Sequence, residues 1–376
     1  MSTSFKKYGL IFFSLSLIVP LKGQVFVISD SIPTNISSVV YDFLPVQSEE
    51  NFNFLLYSTK NKKQNFELIT VKDTVIVNRL KIKNKGLEGD GSWYKSAVMD
   101  DKRLLLLHAD GFLVVYEKNK KGNYSLKETL SIKGRKFETI SLLDSENILL
   151  ANSYNYYNKE KLYDDYALSV FNLRTKKVIC QKEIDLGKGI LLSHFSTMVS
   201  IESKQNKIAV AHPTLPFIYI YNDKLEPIDT ICALFQNTVS VDSVVNAVFN
   251  DSFLEINRTK PKTIIQTIEN KKINELEQIE KVFWLNDDVL GYTIRQPLSF
   301  SQARMFVFYS VSAKKELYKK ASPFTGSGLP YNFVSSTRIL INNNKTIWYG
   351  FKHKDDESDI YYQFKLYDFQ LLNGAE

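Results

Sequence analysis

The sequence predicts an all-β protein, a single β-propeller of four-stranded antiparallel blades, and three observations carry that prediction. First, one pattern recurs: apolar strand, polar turn, apolar strand, loop, strand, turn, strand. It runs through Met99–Leu107 and Phe112–Glu117, Leu142–Asn152 and Tyr166–Asn172, Ser200–His212 and Phe217–Asn222, and Val282–Tyr292 and Met305–Ser310. Second, the period is about 40–45 residues, the length at which four short strands make one propeller blade. Third, the two ends of the chain complement each other. The last unit carries three strands, Arg338–Asn342, Thr346–His353 and Ile360–Tyr367, while Gln24–Ser29 is a strand without a unit. An open sheet edge invites aggregation, so the N-terminal strand is expected to close the ring as the fourth strand of the last blade.

With strands lettered A to D outward from the axis, the chain divides into seven units. The first is Val39–Lys85, with strands near Asn53–Ser58, Phe66–Val71 and Thr74–Ile82. Trp93–Lys133, Phe137–Leu186 and Phe195–Leu234 follow. The fifth, Val239–Ile279, has the weakest alternation, and Glu275–Gln278 within it also reads as a helical turn. If it is a loop insertion, the blades number six. Glu280–Ala321 and Tyr331–Phe369 complete the set, so residues 24–376 form one domain. Each blade buries its faces against its neighbours, which supplies the core.

Residues 1–23 read as a secretory signal peptide. Lys6 and Lys7 precede the apolar run Leu10–Pro20, and Gly23 precedes Gln24. That run is too short to span a bilayer well, and no later stretch is a candidate span, so the expected location is periplasmic or extracellular. The formal charge is +7, three charges of which belong to the leader (Lys6, Lys7 and Lys22). The remaining lysines spread over turns such as Lys118–Lys121 and Lys176-Lys177. Nucleic-acid binding needs positive charge focused on one face, which this spread does not provide. Cys180 and Cys232 fall on outer strands of adjacent units, where blades diverge beyond disulfide reach, and two free thiols are expected. Neither a CxxC nor a His/Cys cluster marks a zinc site.

The chain lacks the Trp-Asp of WD40 repeats, the Gly-Gly of kelch and the Gly-Lys-x-x-Trp of quinoprotein dehydrogenases. Its Asp or Ser turn between strands A and B, followed by an apolar B strand, resembles the exported TolB-like bacterial propellers. That resemblance covers the whole mature chain at the level of pattern. It implies periplasmic binding or scaffolding and carries over no catalytic residue.

Strand direction alternates within a blade, so B–C and D–A connections share one face and A–B and C–D turns share the other. The ends of the B strands therefore ring one mouth: Ser58, His108, Asn152, His212, Tyr292 and His353. The longest B–C loops, Ser153–Asp165 and Thr293–Arg304, add Tyr154, Tyr157 and Arg295. His108, Asn152, Tyr154, Tyr157, His212, Tyr292, Arg295 and His353 are thus the candidate ligand-binding residues, suited to a glycan, a peptide or a partner protein by stacking and hydrogen bonding. No metal and no cofactor is expected. His108, His212 and His353 belong to units that are not neighbours, too far apart for ligand bonds of about 2 Å. Asp100, Asp101, Asp144, Asp287 and Asp288 sit in A–B turns, where a short acid closes its own turn. The glycine cluster Gly86–Gly91 lacks the Lys-Ser/Thr of a phosphate loop. The expected function is non-enzymatic binding by an exported monomer at the B–C mouth. The alternative is an exported glycan-active lyase or hydrolase on the same scaffold.

Overall fold

The computed structural model describes residues 26–33, 39–47, 52–60, 63–72, 75–82, 94–108, 111–132, 137–152, 166–184, 199–212, 215–233, 277–295, 304–321, 339–342, 346–354 and 360–369. β1 (Phe26–Pro33) is followed by five quartets of antiparallel strands. These are β2 (Val39–Gln47), β3 (Phe52–Lys60), β4 (Lys63–Lys72) and β5 (Val75–Lys81); then β6 (Tyr94–Met99), β7 (Arg103–His108), β8 (Phe112–Lys118) and β9 (Tyr124–Ser131). β10 (Phe137–Leu142), β11 (Asn147–Asn152), β12 (Tyr166–Asn172) and β13 (Lys177–Ile184) form the third. β14 (Ser200–Lys204), β15 (Lys207–Ala211), β16 (Phe217–Asn222) and β17 (Pro227–Cys232) form the fourth, and β18 (Gln278–Trp284), β19 (Val289–Arg295), β20 (Arg304–Ser310) and β21 (Lys315–Ala321) the fifth. β22 (Ile339–Asn342), β23 (Thr346–Lys354) and β24 (Ile360–Phe369) end the series. β1 lies outermost on this last sheet, antiparallel to β24 from Phe26 opposite Phe369 to Pro33 opposite Gln363. The first two quartets join into one sheet through a short parallel pairing of β2 with β6.

The second strand of each quartet explains the apolar runs of the sequence. Leu104, Leu105, Leu106 and Leu107 of β7 are all fully buried, although side chains on a strand alternate between faces. Leu105 and Leu107 pack with Ile140, Ile148 and Leu150 of the following blade. Leu104 and Leu106 pack with Val46, Leu55 and Leu68 of the preceding one. A strand covered on both sides needs apolar residues at every position. β9, at the rim, alternates between buried and exposed instead.

The seven-blade reading gave Val239–Ile279 a blade of its own, and the packing corrects it. Most of that stretch lies outside the described residues, but Gln278 and Ile279 open β18. Ala209, Ile218 and Ile231 of the β14–β17 blade pack directly against Val282, Leu290 and Val307 of the β18–β21 blade. The amide of Val282 donates to Ser200 Oγ at 2.9 Å. No blade stands between these two. The helical turn weighed for Glu275–Gln278 is likewise replaced at Gln278 by strand.

Hydroxyls tie the inner strands together. Thr139 Oγ1 of β10 donates to the carbonyl of Val199 at 2.9 Å. Ser141 Oγ and Ser203 Oγ share a hydrogen bond of 2.8 Å. Ser96 Oγ of β6 accepts from the amide of Ile140 at 3.2 Å. Inner strands of neighbouring blades need partners for such polar groups near the axis, and short hydroxyl side chains supply them without filling it. Gly291 of β19 has a similar steric role: it lies opposite Phe283, whose ring occupies the space that a Cβ there would take.

The outer strands carry a repeated irregularity. In five quartets the pairing of third and fourth strands slips by one residue, leaving Val77, Lys127, Ile179, Ile228 and Leu317 as the extra residue. Four of the five are apolar and exposed. A bulge twists an edge away from further pairing, so each blade rim is protected by the same device.

Candidate functional site

The mouth on the B–C side begins with a second set of bulges. The inner strands β2, β6, β10 and β18 each slip register near their first residues, leaving Tyr41, Lys95, Glu138 and Glu280 as the extra residue. Bulges are common next to binding sites because they re-aim a side chain. Three of these four residues are charged. Glu280 is buried, and Glu138 is half-buried. Sequence reasoning missed this set because a bulge shows only in the pairing between strands.

The inner-strand residue before each bulge faces the end of the second strand. It pairs Val40 with Ser58, Tyr94 with His108, Phe137 with Asn152, and Ile279 with Ile294. His212 follows the last residue of β15. Ser58, His108, Asn152 and His212 therefore do share a register. Tyr292 does not: β19 runs on to Arg295, and Ile294 holds the equivalent position. Tyr292 is 2 % exposed and packs in the core between the β14–β17 and β18–β21 blades. Burial pushes its phenol upward, with Glu316 adding to the effect.

His108 is built into an aromatic stack rather than standing open at the rim. Its ring lies 4.2 Å from that of Phe112, nearly parallel, and edge-on to Tyr94 at 5.5 Å. His212 is also buried, and desolvation pushes its imidazole down to about 3. It is neutral at ordinary pH. Asn152, Arg295 and His353 are placed by backbone pairing, opposite Phe137, Gln278 and Arg304, and Tyr361 respectively. Tyr154 and Tyr157 lie outside the described residues, as do residues 85–91. The second long loop is shorter than Thr293–Arg304, since β19 ends at Arg295 and β20 begins at Arg304.

The opposite face is made of closed turns. Asp144 Oδ1 accepts from the amides of Glu146 and Asn147 at 2.6 and 2.9 Å. Asp100 Oδ1 accepts in the same way from Lys102 and Arg103. In the β18–β19 turn the equivalent residue is Asn286, whose Oδ1 accepts from Asp288 and Val289, while Asp288 reaches across to Ser310 Oγ and the amide of Ser312. The turn acid assigned to Asp287 is thus Asn286. Burial alone pulls the Asp144 carboxyl upward, but bonds from Asn147 and the turn amides, with Arg103 nearby, hold it below its ordinary value.

Among the described residues there is no group of three or more His, Cys, Asp or Glu able to hold a metal ion. No helix among them is long and apolar enough to cross a membrane. Cys180 and Cys232 are separate thiols.

Blades of four antiparallel strands, packed face to face about their first strands, define a protein of the β-propeller class. No family model matches the chain, and no curated protein does. Solved structures do match. A member of the DUF4221 family from Bacteroides vulgatus aligns with a TM-score of 0.55 at 10% identity, over 91% of this chain and 97% of that one. A protein of Bacteroides fragilis, whose name marks it provisionally as exported, aligns with a TM-score of 0.55 at 12% identity, over 92% and 96%. At such identities the likeness is one of fold.

Proposed function

We propose that the chain is an exported, non-enzymatic propeller that binds a partner protein or a small polar ligand at the B–C mouth. One observation carries this reading: four inner strands enter from that side through a bulge, and the extra residues are Tyr41, Lys95, Glu138 and Glu280. The opposite face spends its polar side chains on closing its own turns. The name of the Bacteroides fragilis neighbour and the character of residues 1–23 support export. Kinship with TolB-like propellers belongs to the same proposal and rests on the A–B turn pattern. So does a ring of six blades closed by β1, with a long insertion between β17 and β18.

A thermal-shift screen of residues 24–376 against peptides and glycans tests this reading, because a ligand of the folded state raises the melting temperature. For any hit, Lys95→Ala, Glu138→Ala and Arg295→Ala should each weaken binding by about 1 kcal/mol or more, as contact anchors do. Asp144→Ala should alter stability and leave affinity unchanged. The reverse pattern would move the site to the opposite face.

A further inference from the structure

The flank between the β10–β13 and β14–β17 blades departs from the repeat. Phe217, Tyr219 and Tyr221 alternate along β16 and so share one face. Their ring centroids follow one another at 6.4 and 6.2 Å. The other blades show which of these rings the fold itself requires. Strand pairing sets Tyr221 opposite Ile208, as it sets Tyr116 opposite Leu104, Phe171 opposite Ile148 and Tyr309 opposite Leu290. An aromatic ring at that position is common to all four blades and packs the blade faces. Two residues earlier, the same alignment puts Tyr219 beside Val114, Ser169 and Val307. The middle ring is therefore a feature of this blade among the four.

The facing wall comes from β13. Lys182 Nζ stands 5.4 Å from the centroid of the Tyr221 ring. Cys180 Sγ donates to the carbonyl of Lys224 at 3.3 Å, and Cys180 and Tyr219 both pack against the core shared by the two blades. Exposure rises along β16 from buried Tyr221 through half-buried Tyr219 to Phe217 at 37%. The exposed end of the aromatic row thus lies toward the B–C face.

We infer that this aromatic row binds an acidic glycan chain, with sugar rings stacked on its exposed end at Phe217 and Tyr219 and a carboxylate paired with Lys182. A row of aromatic faces offers successive flat, apolar surfaces of the kind that the C–H face of a sugar covers, and the tyrosine hydroxyl adds a polar tip. Lys182 Nζ stands over Tyr221, the ring next to Tyr219 along β16, and so would meet a charge carried beside the stacked sugars. Nucleic acid, whose denser charge needs a cluster of cations, is a poorer match to the Lys182 ammonium than a sparsely charged glycan.

Isothermal titration of residues 24–376 with a homogeneous oligogalacturonate, and with a neutral cello-oligosaccharide of equal length, tests the inference. The acidic chain should bind more tightly. Tyr219→Val installs the residue found at this position in β8 and β20, so it should keep the parental melting temperature while weakening binding about tenfold. Lys182→Met should abolish the preference for the acidic chain. Arg295→Ala, at the mouth, should change nothing, so failure here is distinct from failure of the mouth reading. No binding by the parent chain, equal affinity for both glycans, or undiminished binding by Tyr219→Val would each overturn the inference.

Discussion

His212 shows how a residue read as a ligand can be a packing element with a pH signature. Desolvation holds its imidazole down to about 3, against an ordinary 6.5. Between those values the unfolded chain takes up a proton that the folded chain refuses. Stability therefore falls as pH drops below 6.5, by at most about 1.4 kcal/mol per pH unit from this one group. The end of β11 carries Asn at the matching register, in Asn152. His212→Asn should accordingly lose less stability than the parent between pH 6.5 and pH 4.5, as read from urea unfolding at several pH values. A parallel decline in both proteins would show that His212 is not buried neutral. At this scale the turn acids were legible, because Asp100 and Asp144 act on their own backbone within three residues. The displacement of that role from Asp287 to Asn286 was not, since three polar residues in a row all fit a turn.

At the scale of the strand, the rim bulges make the clearest internal experiment. Val77, Ile179, Ile228 and Leu317 are exposed at matching positions, and the β9 counterpart is Lys127. An apolar side chain in water contributes little to the core, so Ile179→Lys should shift stability by no more than about 0.5 kcal/mol in thermal or urea melts. Ile231→Lys, on the buried face of β17, should cost several times as much. Equal losses would mean that the bulged residues are packed. The alternation of the outer strands and the unbroken apolar runs of the second strands both come straight from burial, so the sequence displays them. Bulges depend on which residue of one strand faces which of another. Local pattern does not specify that, and Tyr292 was for the same reason placed two residues away from its true register.

At the scale of the molecule, β1 supplies the outer strand of the last sheet, across a gap of more than three hundred residues. A chain that begins at residue 34 should leave the edge of β24 bare and lose several kcal/mol of ladder and packing, seen as a lower melting temperature than that of residues 24–376. Unchanged melting would show that the pairing carries no stability. The sequence by itself determined the repeat, the four-strand unit, the doubly covered second strands and the turn chemistry, because each follows from hydrophobic alternation and short-range hydrogen bonding. Only the tertiary structure decided that the β14–β17 and β18–β21 blades are neighbours, that His108 and Tyr292 are packed inside, and that inner and outer strands bulge at matching positions. Those outcomes rest on contacts between blades and on pairing between separate strands. The backbone amide of Val282 and the hydroxyl of Ser200 meet across 82 residues, and that distance leaves no local trace in the chain.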